Sequence, residues 1–156
     1  MTSAATPSVP PPSVPPLDDL PHRRAVVAVL WAGVAIMLAF WLTWYAARSA
    51  VASNHRPAYY EFENAFPAAD AWITCCLVGA AIGLRRRRPA AVLWLLAGGG
   101  AGVYLFAMDV LYDLEHGIWW RSGAGGVIEL VINIVTGGVS VWLLRWTWRH
   151  RAALLA

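Results

Sequence analysis

The chain has 156 residues, 59% of them hydrophobic and 13% charged, with a mean hydropathy of +0.53. A soluble domain carries about 25% charged residues, so the deficit, together with ten tryptophans and long uncharged runs, leaves no separate soluble domain and points to one small membrane bundle. The net charge of +3 is carried by twelve arginines against nine acids, for there is no lysine. Glutamine is also missing, and the abundance of Ala, Gly, Pro and Arg fits a GC-rich bacterial coding bias.

Residues 1–22 hold seven of the ten prolines among small residues, a composition that cannot build a core and reads as a disordered, partly polyproline-II tail on the cytoplasmic side. A solvated tail explains it better than docking to a proline-binding partner. The membrane domain is expected over residues 23–151, followed by a short tail at 152–156. Its first span, about residues 25–47, is uncharged and ends in Phe40, Trp41, Trp44 and Tyr45, an aromatic belt at one interface. The apolar stretch exceeds the usual signal-peptide core of about 7 to 15 residues, so it reads as a retained anchor despite Ala50-Val51-Ala52 behind it.

A polar loop is expected over residues 48–66, with Asn64 capping the next helix and Pro67 in its first turn. The second span, about 67–84, carries Gly79 and Gly83 at the spacing that lets helices approach closely. Its adjacent Cys75 and Cys76 point about 100° apart on a helix, which suits two small buried hydrophobes better than a disulfide. Arg85, Arg86, Arg87 and Arg88 followed by Pro89 make a basic hairpin turn, a topological signal in contact with anionic headgroups and not a nucleic-acid site.

The third span, about 90–112, holds Gly98, Gly99, Gly100 and Gly102; no Lys-Ser/Thr follows, so the run reads as a packing groove or bend and not a phosphate loop. The helix is expected to run on to His116, with Gly117 as its left-handed cap and Ile118 folding back on Leu114. A turn over 122–126 leads to the fourth span, about 127–144, which exits through Trp142, Trp146 and Trp148 interleaved with Arg145, Arg149 and Arg151. With the N-terminus inside, nine of the twelve arginines are cytoplasmic, so the positive-inside rule gives four spans and both termini in the cytoplasm. The expected fold is an all-α four-helix transmembrane bundle in the inner (plasma) membrane.

A hydrocarbon core of about 30 Å takes about 20 helical residues. Counted from the basic flank, that places Asp70 and Glu129 roughly 6 to 8 Å below the outer surface, with Asp109 close to it and Asp113 and Glu115 just above. Asn133 lies one turn deeper than Glu129 on the same face. Intramembrane carboxylates are costly and mark function by default. Asp70 and Glu129 are equally explained as residues at helix starts, where the dipole favours negative charge. Asp109 and Asp113 sit near a helix C-terminus and need a partner: Arg48, Arg121, His116, a bound cation or a shared proton.

The candidate ligand- or ion-binding residues are therefore Asp70, Asp109, Asp113, Glu115, His116, Glu129 and Asn133. Asp113-x-x-His116 with Glu129 offers a carboxylate–imidazole set. Too few histidines lie on this side for a three-histidine zinc site, and an oxygen-rich divalent cation fits the ligands better. No other cofactor is implied.

The runs Phe66-Pro67-Ala68-Ala69-Asp70, Met108-Asp109-Val110-Leu111-Tyr112-Asp113-Leu114-Glu115-His116-Gly117 and Glu129-Leu130-Val131-Ile132-Asn133 resemble small four-span bacterial membrane proteins of unassigned function. The resemblance covers residues 23–145 and implies no activity. Three readings follow. The first is a non-enzymatic protein binding a cation or small ligand in an acidic outer vestibule, or serving as a transport or complex accessory. The second is an enzyme on a lipid or isoprenoid with Asp109 or Glu129 as acid/base. The third is a structural subunit whose small-residue faces join a homo-oligomer or a larger complex. The uncharged inner halves of the spans argue against a transport path in a single protomer.

Overall fold

A computed structural model describes residues 20–156, so the tail expected over 1–22 lies outside the described residues except for its last three. Among the described residues the chain is helical and has no strand. Helix α1 spans Arg23–Ala47, α2 Pro57–Glu63, α3 Pro67–Arg85, α4 Ala90–His116, α5 Ile118–Arg121 and α6 Ala124–Leu155. Four stretches are long and apolar enough to cross a membrane: Arg23–Ala50, Pro57–Arg85, Ala90–His116 and Ala124–Leu155. Side chains such as Ile36, Leu42, Leu93 and Val135 stand exposed on their outer faces, the surface that hydrocarbon would cover.

The helix ends follow from local chemistry. Pro67 occupies the first turn of α3, where its missing N–H is not needed. At the other end Arg87 takes a left-handed φ of 53°, while Arg88 N–H donates to Gly83 O at 2.9 Å and Arg87 N–H to Leu84 O at 3.4 Å. This is a Schellman closure without a glycine. The Arg23 guanidinium adds a bond to Leu84 O at 2.8 Å. Gly117, with φ 68°, ends α4 as its sequence position implies.

Packing runs in series: α1 on α3, α3 on α4, and α4 on α6. Small residues set the spacing. A Cβ on Gly79 or Gly83 would strike Trp94 or the Ala91 backbone across the α3–α4 contact. Gly98 of the α4 run faces Cys76, whereas Gly99 and Gly102 face Leu144 and Ser140 of α6. The glycine run is thus a packing groove used on two sides. The arginine end is closed by Val26, Leu30, Leu84, Leu95 and Trp146, with Trp146 Nε1–H donating to Pro21 O at 2.8 Å. The opposite end is closed by Trp44, Tyr59 and Ile118.

The structure departs from the sequence expectations in five places. The stretch 48–66 is not a plain loop, because Pro57 starts the helix α2. Asn64 does not cap α3; it closes the C-terminus of α2, and its Oδ1 accepts the Trp44 indole N–H at 3.1 Å. Of the two free cysteines only Cys76 is buried; Cys75 is exposed on the outer face. Ile118 is buried with Trp44 and Tyr59, while Leu114 stays exposed. Helix α6 also continues beyond 144 to Leu155.

Candidate functional site: an acidic cluster beneath an aromatic roof

Asp109 and Asp113 lie four residues apart on α4, so both face the same way near its C-terminal end. Glu129 and Asn133 do the same on α6, and the close α4–α6 packing brings the two pairs together. Asn133 Nδ2–H donates to Asp113 Oδ2 at 2.7 Å, with Asn133 only 1% and Asp113 only 2% exposed. Asp70, one turn into α3, accepts the Trp41 indole N–H at 2.9 Å. Glu129 accepts the Ser53 hydroxyl.

A roof covers this end. Ser53 lies so close to Gly125 that any β-carbon there would strike the Ser53 backbone, and Gly126 meets the carbonyls of Ile118 and Trp119 in the same way. The first approach holds Ser53 over Glu129, and the second seats α5 against α6. Helix α2 is pinned by Phe62, stacked on Tyr112 at 3.8 Å between ring centroids and 9° between planes. Tyr59 is buried beneath it, its hydroxyl facing Glu63, Glu129 and Ser53 together. Tyr112 stacks in turn on His116 at 4.1 Å.

The result is five carboxylates from four helices. Asp109 feels the charges of Glu63, Glu129, Asp113 and Asp70 at once and has no hydrogen-bond donor among the described residues. Among these residues no ion pair joins the cluster to an arginine; Arg48 is spent over the Tyr60 ring, 4.7 Å from its centroid. Carboxylates held away from water repel one another and require compensation by donors, protons or cations. Trp41, Ser53, Tyr59 and Asn133 supply neutral donors only. Among the described residues, two enclosed side-chain groups at this end make no hydrogen bond: the acceptor Asn133 Oδ1 and the donor Trp119 Nε1–H.

Six of the seven candidates lie at this end as a group or at its edge. Asp70, Asp109, Asp113, Glu129 and Asn133 belong to the cluster. His116 flanks it, but its Nδ1–H donates to the Tyr112 carbonyl at 3.0 Å and its ring lies flat on Tyr112. Glu115 is the exception: it stands about 200° round the helix from Asp113 and is exposed. Arg85, Arg86, Arg87 and Arg88 are exposed at the opposite end of the bundle. Among the described residues no group of three His, Cys, Asp or Glu side chains is arranged to hold one metal ion.

Glu63, Tyr59, Ser53 and Trp41 belong to the site without having been singled out in the sequence. A signal for two of them was present. Pro57 favours a helix start, and Tyr59 and Glu63 at i, i+4 then fall on one face. No family model matches the chain, and neither a curated protein nor a solved structure was found to be similar to it.

Proposed function

We propose that this is a small multi-pass membrane protein whose acidic cluster binds a cation on the extracytoplasmic side. Asp109 carries the reading: a carboxylate set among four others, with no donor and no arginine among the described residues. The unpartnered Asn133 Oδ1 adds a need for an N–H or O–H donor. Trp41 and Tyr59 supply aromatic rings at its edge, and aromatic faces attract cations through their quadrupoles. These features favour an organic ammonium, which brings positive charge and donors together, over a divalent ion that needs three converging ligands.

The arginine distribution supports the orientation, both termini being cytoplasmic in the plasma membrane. The test is thermal unfolding of the purified full chain in detergent with methylammonium, choline, putrescine, Na⁺, K⁺, Ca²⁺, Mg²⁺, Mn²⁺ and Zn²⁺. Selective binding to the native state stabilises by about 2.7 kcal/mol at a hundred times Kd. A saturable rise that disappears in Asp109→Asn and persists in Glu115→Gln supports the reading. A flat response to every cation, with Asp109→Asn differing only in stability, contradicts it and leaves the acids as structural partners.

A further inference from the structure

From the middle of the bundle to its arginine end, a groove of about 920 Å³ runs along α6. Its upper wall is apolar, formed by Phe106, Ile134 and Val141 around Gly137 and Gly138. Its lower wall carries His22, Arg145, Arg149 and His150. From Ile134 to His150 is sixteen residues of helix, about 24 Å. One bilayer leaflet with its headgroup layer measures about 20 to 23 Å. Groove and leaflet match in length.

The chemistry changes along the groove in the order a phospholipid requires. Gly137 lets the Phe106 ring lie against the α6 backbone, whereas a Cβ on Gly138 meets nothing within 4 Å. Gly138 is therefore an open floor and not a helix contact. Arg145 and Arg149, one turn apart on α6, are exposed and have no ion-pair partner among the described residues. His150 Nδ1–H donates to Trp146 O at 2.8 Å, which fixes its ring at the groove wall. Among the described residues no acid lines the groove. An apolar trough of leaflet depth ending in two arginines and two histidines is complementary to one kind of occupant.

We propose that this groove holds an anionic phospholipid of the adjoining leaflet, one acyl chain over Gly138 and the phosphate between Arg145 and Arg149. A basic residue near a membrane surface is worth about 1 kcal/mol toward an anionic lipid, or about fivefold in affinity, so removing both arginines costs about thirtyfold. Occupancy of the groove is independent of the acidic cluster.

The experiment is native mass spectrometry of the full chain in detergent, titrated with phosphatidylglycerol or phosphatidylcholine of equal chain length. Wild type is expected to retain one phosphatidylglycerol in preference to phosphatidylcholine. Arg145→Gln with Arg149→Gln should lose that preference, and Gly138→Trp should lose the bound lipid altogether. Gly138 has open space, so this variant should fold, as circular dichroism and melting will show. Inorganic phosphate alone should not displace the lipid. Three results overturn the proposal: loss of preference in Arg85→Gln with Arg86→Gln but not in the groove variants, full displacement by phosphate, or a second copy of the chain released by Gly138→Trp in place of lipid.

Discussion

Asn133 and Asp113 form the best-buried polar contact at the acidic end, a 2.7 Å bond from an amide N–H to a carboxylate between α6 and α4. It joins the two helices that carry most of the cluster and fixes which way Asp113 points. The opposite edge of the same amide, Oδ1, is the acceptor left without a donor. Removing a partner from a buried polar group costs about 1 to 3 kcal/mol, more when the group is charged. Asn133→Ala is therefore expected to destabilise the bundle by at least that amount in denaturant unfolding, and Asn133→Asp by more, because it places a sixth carboxylate in the cluster. A melting point within 1 °C of wild type for both variants would show that the contact carries no weight.

Trp41 holds Asp70 from the neighbouring helix through one indole N–H. Trp41→Phe keeps most of the ring contacts with Phe40, Trp44 and Tyr45 and removes the donor. A loss of about 1 to 2 kcal/mol is expected, with Trp41→Phe in an Asp70→Asn background costing less than in wild type. Additive losses in this double-mutant cycle would mean that the two side chains act independently.

The roof depends on backbone approaches that tolerate no side chain at Gly125 or Gly126. Gly125→Ala is expected to cost roughly 1 to 3 kcal/mol and to part the 51–56 segment from α6, breaking the Ser53–Glu129 bond. Limited proteolysis is the readout: cleavage near His55 and Arg56 should accelerate in Gly125→Ala. It should not in Gly138→Ala, where the added carbon has space.

The orientation has its own test. In a cysteine-free background, Arg86→Cys and Glu115→Cys place one thiol at each end, both at exposed positions. A membrane-impermeant maleimide applied to intact cells should label the second and spare the first. Labelling of Arg86→Cys alone would invert the topology and move the cluster to the cytoplasmic side.

The four long helices were legible because hydropathy sums over about 20 residues, so single errors cancel. Pro67 and Gly117 were legible because each restricts φ in a way few positions tolerate. The convergence of Asp70, Asp109, Asp113, Glu129 and Asn133 followed from depth counting along antiparallel helices, which needs no side-chain detail. Lateral direction was harder. Glu115 was grouped with Asp113 by nearness in sequence, although two residues along a helix turn it to the opposite side. Asn64 is a good cap by residue type, yet Trp44, twenty positions earlier, claims its side chain. Ser53 enters the site where Gly125 admits its backbone, and Glu63 and Tyr59 where Phe62 stacks on Tyr112, tertiary approaches that no local pattern encodes.

Cation binding by the clustered acids can be read as heat, by isothermal titration calorimetry of the detergent-purified chain. Methylammonium and putrescine would be titrated into wild type, Asp109→Asn and Glu115→Gln. Saturable one-site heat is expected for wild type and Glu115→Gln, and its loss in Asp109→Asn. Equal heats in all three proteins, or none in any, would contradict it.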